Sequence, residues 1–234
     1  MKGWRRWIVF LLGSAILTFV IQIWGTDNMS WKPWNMPLSG KTIYLDAGHG
    51  GADGGAGDKE ALEKDIALSV TEKVRDYLQG QGAIVLMTRE KDVDLASPDT
   101  RSYRGRKTED LQKRLSLINE SKADLFVSIH LNAIPSPRWR GAQTFYAPHM
   151  QENKELAKDI QYEVVLNLEN TNREAKAINH VYLLKYANKP GALVEIGFLS
   201  NPAERQDLLT EEYQEKVAAS IYKGIMKYVD DKEG

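Results

Sequence analysis

Four histidines, His49, His130, His149 and His180, and no cysteine occur in a chain of 234 residues. Any metal site must therefore be built from imidazole and carboxylate. The same absence removes disulfides, thiolate metal centres, a cysteine nucleophile and lipid anchors attached through cysteine. His49 sits in Gly48-His-Gly-Gly-Ala-Asp-Gly-Gly, whose glycines could admit a ligand or substrate close to the backbone. His130 closes the run Leu125-Phe-Val-Ser-Ile-His, where a lone strand-end histidine is more often a hydrogen-bonded structural residue than a ligand.

Zinc in a hydrolase takes three protein ligands and leaves a fourth position open. His49 and His130 supply the nitrogen pair, and the third ligand can come from Asp46, Asp53, Asp58, Glu60, Glu63 or Asp65. Glu63 is preferred because it opens a predicted helix, where a rigid first turn can aim it back at the His49 loop and the helix dipole favours an anion. A capping carboxylate with no further role fits that position equally well. Glu195 stands in Ala192-Leu-Val-Glu-Ile-Gly-Phe-Leu199, an apolar run in which a carboxylate is costly to bury unless it is paired or given work. It is either half of a structural salt bridge or a general acid/base beside a metal and its water. His149 and His180 read as loop residues. No G-x-S-x-G, P-loop or G-x-G-x-x-G motif occurs, so serine hydrolysis and nucleotide binding have no support.

These residues need a frame. Thr42-Ile-Tyr-Leu-Asp46 reads as a strand, and Leu62, Ile66, Ala67, Val70, Val74 and Leu78 recur at helical spacing. The pattern continues with a strand over 83–88, a polar loop over 90–107, a helix over 111–119 and a strand over 124–130. A strand over 142–146, a helix over 153–168, short strands over 182–184 and 192–196, and a helix over 211–229 follow. Alternating strands and helices predict a single α/β domain with a largely parallel, mixed central sheet flanked by helices on both faces. In such sheets ligands sit beyond the carboxyl ends of the strands, where His49, His130 and Glu195 all fall.

Residues 1–25 carry Lys2, Arg5 and Arg6 and then an uncharged stretch from Trp7 to Trp24. As a helix it would span ~27 Å, close to the ~30 Å hydrocarbon core of a bilayer. An uncleaved membrane anchor is expected in preference to a cleaved signal peptide, with the remainder of the chain extracytoplasmic. Residues 26–40 read as a linker and 41–230 as one catalytic domain. With 31 basic against 32 acidic residues, the chain lacks a global basic field, and nucleic acid is not expected as a partner.

Five ordered blocks carry a resemblance. They are Ile43-Tyr-Leu-Asp-Ala-Gly-His-Gly-Gly-Ala-Asp-Gly-Gly-Ala56, Leu62-Glu-Lys-Asp65, Val85-Leu-Met-Thr-Arg89, Ala123-Asp-Leu-Phe-Val-Ser-Ile-His-Leu-Asn-Ala133 and Leu193-Val-Glu-Ile-Gly-Phe-Leu-Ser-Asn-Pro202. Together they resemble the zinc-dependent N-acetylmuramoyl-L-alanine amidases of the amidase-3 type, over about residues 41 to 230. The resemblance implies zinc ligation by His49, Glu63 and His130, with Glu195 as the catalytic carboxylate. It is closest to the sporulation or germination-specific branch, which strips stem peptides from spore-cortex peptidoglycan so that muramic δ-lactam can form together with a deacetylase. That branch implies a peptidoglycan substrate, action in the forespore or cortex compartment, a membrane tie through the N-terminal helix, and an accessory activator protein. Ala47 departs from the proline usual in the family, which is expected to loosen the turn before His49. A zinc peptidase acting within the stem peptide would use the same ligands and differ only in its products. A non-catalytic wall-binding module would have no need of the full set.

Overall fold

The computed structural model describes residues 3–4, 7, 11–15, 18 and 36–233. Contacts divide the chain into Met1–Asn35 and Met36–Gly234. In the first unit the described residues are helical, and the remainder of the expected anchor and the linker up to residue 35 lie outside the described residues. Among the described residues no helix is long and apolar enough to cross a membrane.

The second unit is built on a six-stranded sheet. Its strands are β1 (Thr42–Ala47), β4 (Ile84–Met87), β5 (Leu125–Asn132), β6 (Gln143–Tyr146), β7 (Lys176–Ala177) and β8 (Gly191–Phe198), in the order β4-β1-β5-β8-β6-β7. The first four in that order run parallel, β6 is antiparallel to β8, and β7 is parallel to β6. A small hairpin of β2 (Gly57–Asp58) and β3 (Ala61–Leu62) lies outside the sheet. The helices are α1 (Glu63–Gly80), α2 (Tyr103–Glu120), α3 (Gln151–Leu168), α4 (Tyr182–Tyr186), α5 (Pro202–Leu208) and α6 (Glu211–Glu233). The mixed α/β sheet with both faces covered is the architecture expected from the alternating pattern.

Strand alternation sorts the side chains into two layers. Ile43 and Leu45, with Leu125, Val127, Ile129 and Leu131, and with Ala192, Val194 and Ile196, face the main core against α1, α3 and α6. The intervening residues Tyr44, Phe126 and Leu193 face the second cluster, closed by Ile118 of α2 and by Leu183 and Leu184 of α4. Asp46, Ser128, His130 and Glu195 continue that second set of positions, so the polar residues share the face beneath α2 and α4. Leu38 is also fully buried in the main core, and its backbone N–H donates to Gln81 O at 3.0 Å. Packing therefore begins a few residues before Lys41.

The short elements β2, β3, β7 and α5 have no counterpart in the sequence pattern, and two segments differ from it. Residues 182–184, expected as a strand, form α4 and lie on the sheet rather than in it, with Lys185 N donating to Val181 O at 3.0 Å. A short apolar run has no periodicity that separates strand from helix, and here burial of both Leu183 and Leu184 against the sheet face decides it. Helix α2 begins at Tyr103, inside the expected polar loop, with Ser102 Oγ accepting from Gly105 N at 3.1 Å as its cap. Its first two turns are too polar to announce a helix by hydrophobic period.

Helices α3 and α6 cross closely because Gly224 lacks a side chain, and a Cβ there would stand 2.3 Å from Ile160 Cα. Gly224→Ala should therefore lower stability by about 1–3 kcal/mol through overpacking, against a helix-propensity gain of about 1 kcal/mol. Urea denaturation reads this as a lower midpoint, and an unchanged or higher midpoint would show that the helices separate without strain.

Candidate metal centre

The site begins with a strained backbone. At the end of β1 the chain turns through Gly48 and His49, and His49 has φ of 60°, a left-handed conformation disfavoured for a residue with a side chain. Two guanidinium groups hold this turn. Arg89 donates Nε to Ala47 O at 3.0 Å and Nη2 to Gly48 O at 2.8 Å. Arg114 donates Nη1 to Ala47 O at 2.7 Å and Nη2 to His49 O. Ala47 is fully buried and its carbonyl accepts from both arginines, bonds that a proline carbonyl at this position would accept as well. Gly48 is required by a close approach, since a Cβ would lie 2.5 Å from His130 Cε1.

Arg114 is itself neutralised below the sheet face. Its Nη1 meets Asp46 Oδ1 at 2.7 Å and its Nε meets Asp110 Oδ2 at 2.7 Å, all three side chains being buried. Asp46 also accepts from Ser128 Oγ at 2.5 Å and Thr88 Oγ1 at 2.8 Å. Burial alone would raise the Asp46 pKa, but the Arg114 charge and these hydrogen bonds hold it at about 2. Asp46, one of the six carboxylates considered as a ligand, is thereby committed to the Arg114 brace.

Within this frame three side chains converge. His49 Nε2 is 3.2 Å and His130 Nδ1 2.9 Å from Glu63 Oε1, and the three donor atoms lie within 4.8 Å of one another. A tetrahedral ion with bonds of about 2.0–2.1 Å sets neighbouring ligand atoms roughly 3.3 Å apart, so the cluster has the right dimensions for one. Two imidazoles and one carboxylate suit zinc and its late first-row neighbours. Glu63 is aimed by more than its helix position, because Oε2 accepts from Ala56 N at 2.7 Å and Oε1 from Leu131 N at 2.9 Å. Asp53 Oδ2 sits 2.9 Å from His49 Nδ1, which fixes the ring with Nε2 toward Glu63. Asp53 is in turn held by Lys107 Nζ at 3.0 Å and by Tyr103 Oη, which donates to its Oδ1 at 2.9 Å. Burial acts to lower the His49 pKa, but its hydrogen bonds to Asp53 and Glu63 push it up to about 9. The Glu63 carboxyl is held well below its usual range despite burial, by the two histidines. Cation and proton therefore compete for the same lone pairs.

Glu195 is the register partner of His130 across β5 and β8, which places both side chains on one face of adjacent strands. Among the described residues Glu195 forms no salt bridge. Glu195 Oε2 is buried without a hydrogen-bond partner, and burial pushes its pKa up to about 7. A carboxyl that exchanges its proton near neutrality is suited to general acid/base work. A cavity of about 290 Å³ joins these groups, its walls supplied by Asp53, Lys107 and Leu111, by His180, Val181 and Leu183, and by Leu193.

Among the other candidates, Asp58 pairs with Arg205, Glu60 is exposed, and Asp65 is exposed on α1. His149 lines a separate depression with Asn179 and Lys185. His180, read as a loop residue, does precede a helix in a loop, but it faces the same cavity as Glu195. The Asp53, Lys107 and Tyr103 cluster was not legible as a supporting group, since α2 was not predicted to start at Tyr103. The i,i+4 spacing of Tyr103 and Lys107 would have been the signal once that start was known.

The comparisons with known proteins follow the same lines. The family model described as N-acetylmuramoyl-L-alanine amidase matches residues 43–227. The chain is 57% identical over 232 residues to a germination-specific N-acetylmuramoyl-L-alanine amidase of Bacillus subtilis, covering 99% of this chain and 98% of that protein. It is 31% identical over 223 residues to the amidase LytC of Bacillus subtilis, covering 93% of this chain and 42% of that one. Among solved structures, the CwlD amidase from Clostridioides difficile in complex with the GerS lipoprotein superimposes with a TM-score of 0.79 at 46% identity, covering 82% of this chain and 99% of that chain.

Glu195 also sets a pH dependence. Its carboxyl is raised from 4.5 to about 7 on folding, so the buried group is harmless below 4.5 and weakens the fold as the pH rises through 7. Glu195→Gln should therefore stabilise the metal-free protein at pH 8, by on the order of 1–3 kcal/mol, and leave it unchanged at pH 4. Denaturation midpoints of both proteins at the two pH values check this, and equal midpoints at pH 8 would mean that Glu195 is solvated or paired.

Proposed function

Because the chain belongs to the N-acetylmuramoyl-L-alanine amidase family, we propose that it hydrolyses the amide bond between N-acetylmuramic acid and L-alanine in spore-cortex peptidoglycan. In this reading His49, Glu63 and His130 hold a zinc ion and Glu195 is the general acid/base. The observation that carries it is the convergence of two imidazole nitrogens on Glu63 Oε1 beside the unpartnered Oε2 of Glu195.

Zinc, when bound, supplies a Lewis acid that polarises the scissile carbonyl and acidifies water. The chain supplies the rest. Asp53 holds the His49 ring so that Nε2 faces the cavity, and Ala56 N and Leu131 N hold the Glu63 carboxylate. Glu195 Oε2 takes a proton from the attacking water and returns it to the departing alanine nitrogen, two transfers that a pKa of about 7 serves equally. The apolar wall of Leu111, Val181, Leu183 and Leu193 strengthens these electrostatic interactions by excluding water.

The germination-specific relative directs the biological reading. Stem-peptide removal frees the lactyl carboxyl for closure to muramic δ-lactam by a deacetylase acting on the same residue. The protein acts outside the cytoplasm, tethered through residues 1–25, and an accessory lipoprotein of the kind bound to CwlD is the partner class implied.

Mass spectrometry of peptidoglycan digested with the zinc-loaded protein tests the reaction. The expected products are free L-alanine amino termini and muramic acid carboxyl groups, with no new reducing sugar ends. Glu195→Gln should keep its zinc and lose at least about 10²-fold in kcat. Release of D-alanine alone would identify a carboxypeptidase, and new reducing ends would identify a glycosidase with its paired carboxylates.

A further inference from the structure

Away from the metal centre, Gln161 Nε2 on α3 is buried without a hydrogen-bond partner among the described residues. The amide cannot be turned round, because its Oε1 accepts from Thr144 N at 2.6 Å and the exchange would set N–H against N–H. Thr144 Oγ1, also buried and unpartnered, does not take the free end. Gln161 is 3% exposed, so two N–H donors are held with almost no access to bulk water. Unpaired buried donors are unfavourable, and a ligand acceptor would complete them.

Gln161 lines a cavity of about 380 Å³ between α3 and residues 172–175, just ahead of β7, which shares no lining residue with the cavity at the metal centre. Lys158 lines it from α3 and Glu174 from the facing stretch, and neither side chain has an ion pair or hydrogen bond with a described residue. Two opposite charges thus stand in one cavity without pairing. Arg173 adds a fixed positive charge, its Nη1 donating to Gly141 O and its guanidinium lying 5.1 Å over the Phe198 ring. Tyr162 and Asn172 contribute neutral groups that both donate and accept, and Val165 and Ala175 an apolar surface. The donors and positive charge suit a carboxylate, whereas Glu174 suits an ammonium and repels a polyanion. We infer that this cavity is a second ligand site, for a small molecule carrying both charges, its carboxylate held by Gln161 Nε2 and Lys158 and its ammonium by Glu174. Two sources share this chemistry. One is a free α-amino acid, and the other, on the amidase reading above, is the released stem peptide, whose alanine ammonium the reaction creates.

Heteronuclear NMR of the side-chain amide of Gln161 in the zinc-loaded full chain tests the site. Its resonances are assigned by their loss in Gln161→Glu, which keeps an acceptor for Thr144 N. L-alanine and L-alanyl-γ-D-glutamate are the zwitterionic probes, and acetate and ethylammonium carry one charge each. Both zwitterions should shift the Gln161 resonances saturably and bind at least about threefold more tightly than either single charge, the scale of an exposed ion pair. Lys158→Gln and Glu174→Gln, at exposed positions away from the metal centre, should each weaken the zwitterions by about threefold or more, and Glu174→Gln should leave acetate unweakened. Tighter binding of the dipeptide identifies the released peptide as the ligand, and tighter binding of alanine the free amino acid. Unmoved Gln161 resonances, acetate bound as tightly as the zwitterions, or variants that bind as well as the parent overturn the inference. The readout needs no turnover, so failure to release L-alanine termini from peptidoglycan overturns the amidase reading and leaves this site standing.

Discussion

The structure depends on the grip of two buried arginines on three consecutive carbonyls. Ala47 O, Gly48 O and His49 O accept from Arg89 and Arg114, which fixes the turn that carries the His49 side chain. A non-glycine residue at φ of 60° is held in strain of order 1–3 kcal/mol, and hydrogen bonds to charged donors are strong enough to impose it. The arginines must be neutralised in turn, which accounts for the buried Asp46 and Asp110 and for Ser128 and Thr88 around Asp46. Removing one partner of such a buried pair typically costs about 3–5 kcal/mol, because the other charge is left uncompensated. A large fraction of the polar groups below the sheet face thus serves one turn of backbone.

The two halves of the site are positioned differently. His49 and Glu63 sit on a loop and a helix start, and each needs external hydrogen bonds from Asp53, Ala56 N and Leu131 N to aim it. His130 and Glu195 are aligned by strand register, as neighbours on β5 and β8, and His130 Nδ1 also meets Glu63 Oε1 at 2.9 Å. The register also leaves Glu195 dry, and a dry carboxyl with no partner is a local instability retained at the centre of the cavity. In the amidase reading that instability is the source of its catalytic pKa.

Much of this was legible in the residues. The alternation of strands and helices gave the sheet, and the strand ends pointed to His49, His130 and Glu195. Glu63 was preferred to five other carboxylates for its place at a helix start, but ligand and cap stayed evenly matched until the family resemblance, because helix-opening glutamates are common and their reach depends on tertiary contacts such as Ala56 N. The early start of α2 was hidden by polar first turns, and with it the Tyr103 and Lys107 contacts to Asp53. Strand and helix could not be separated for residues 182–184, since period says nothing in three residues. His180 shared that obscurity: its place on the cavity wall follows from α4 lying across the sheet face, a packing outcome with no local signal.

Anomalous diffraction at the zinc absorption edge tests the account most directly. The account predicts a single peak at about 2.0–2.2 Å from His49 Nε2, Glu63 Oε1 and His130 Nδ1, with the backbone of residues 47–49 unmoved. A peak away from these three atoms, or one reached only after the 47–49 turn is remodelled, would contradict it.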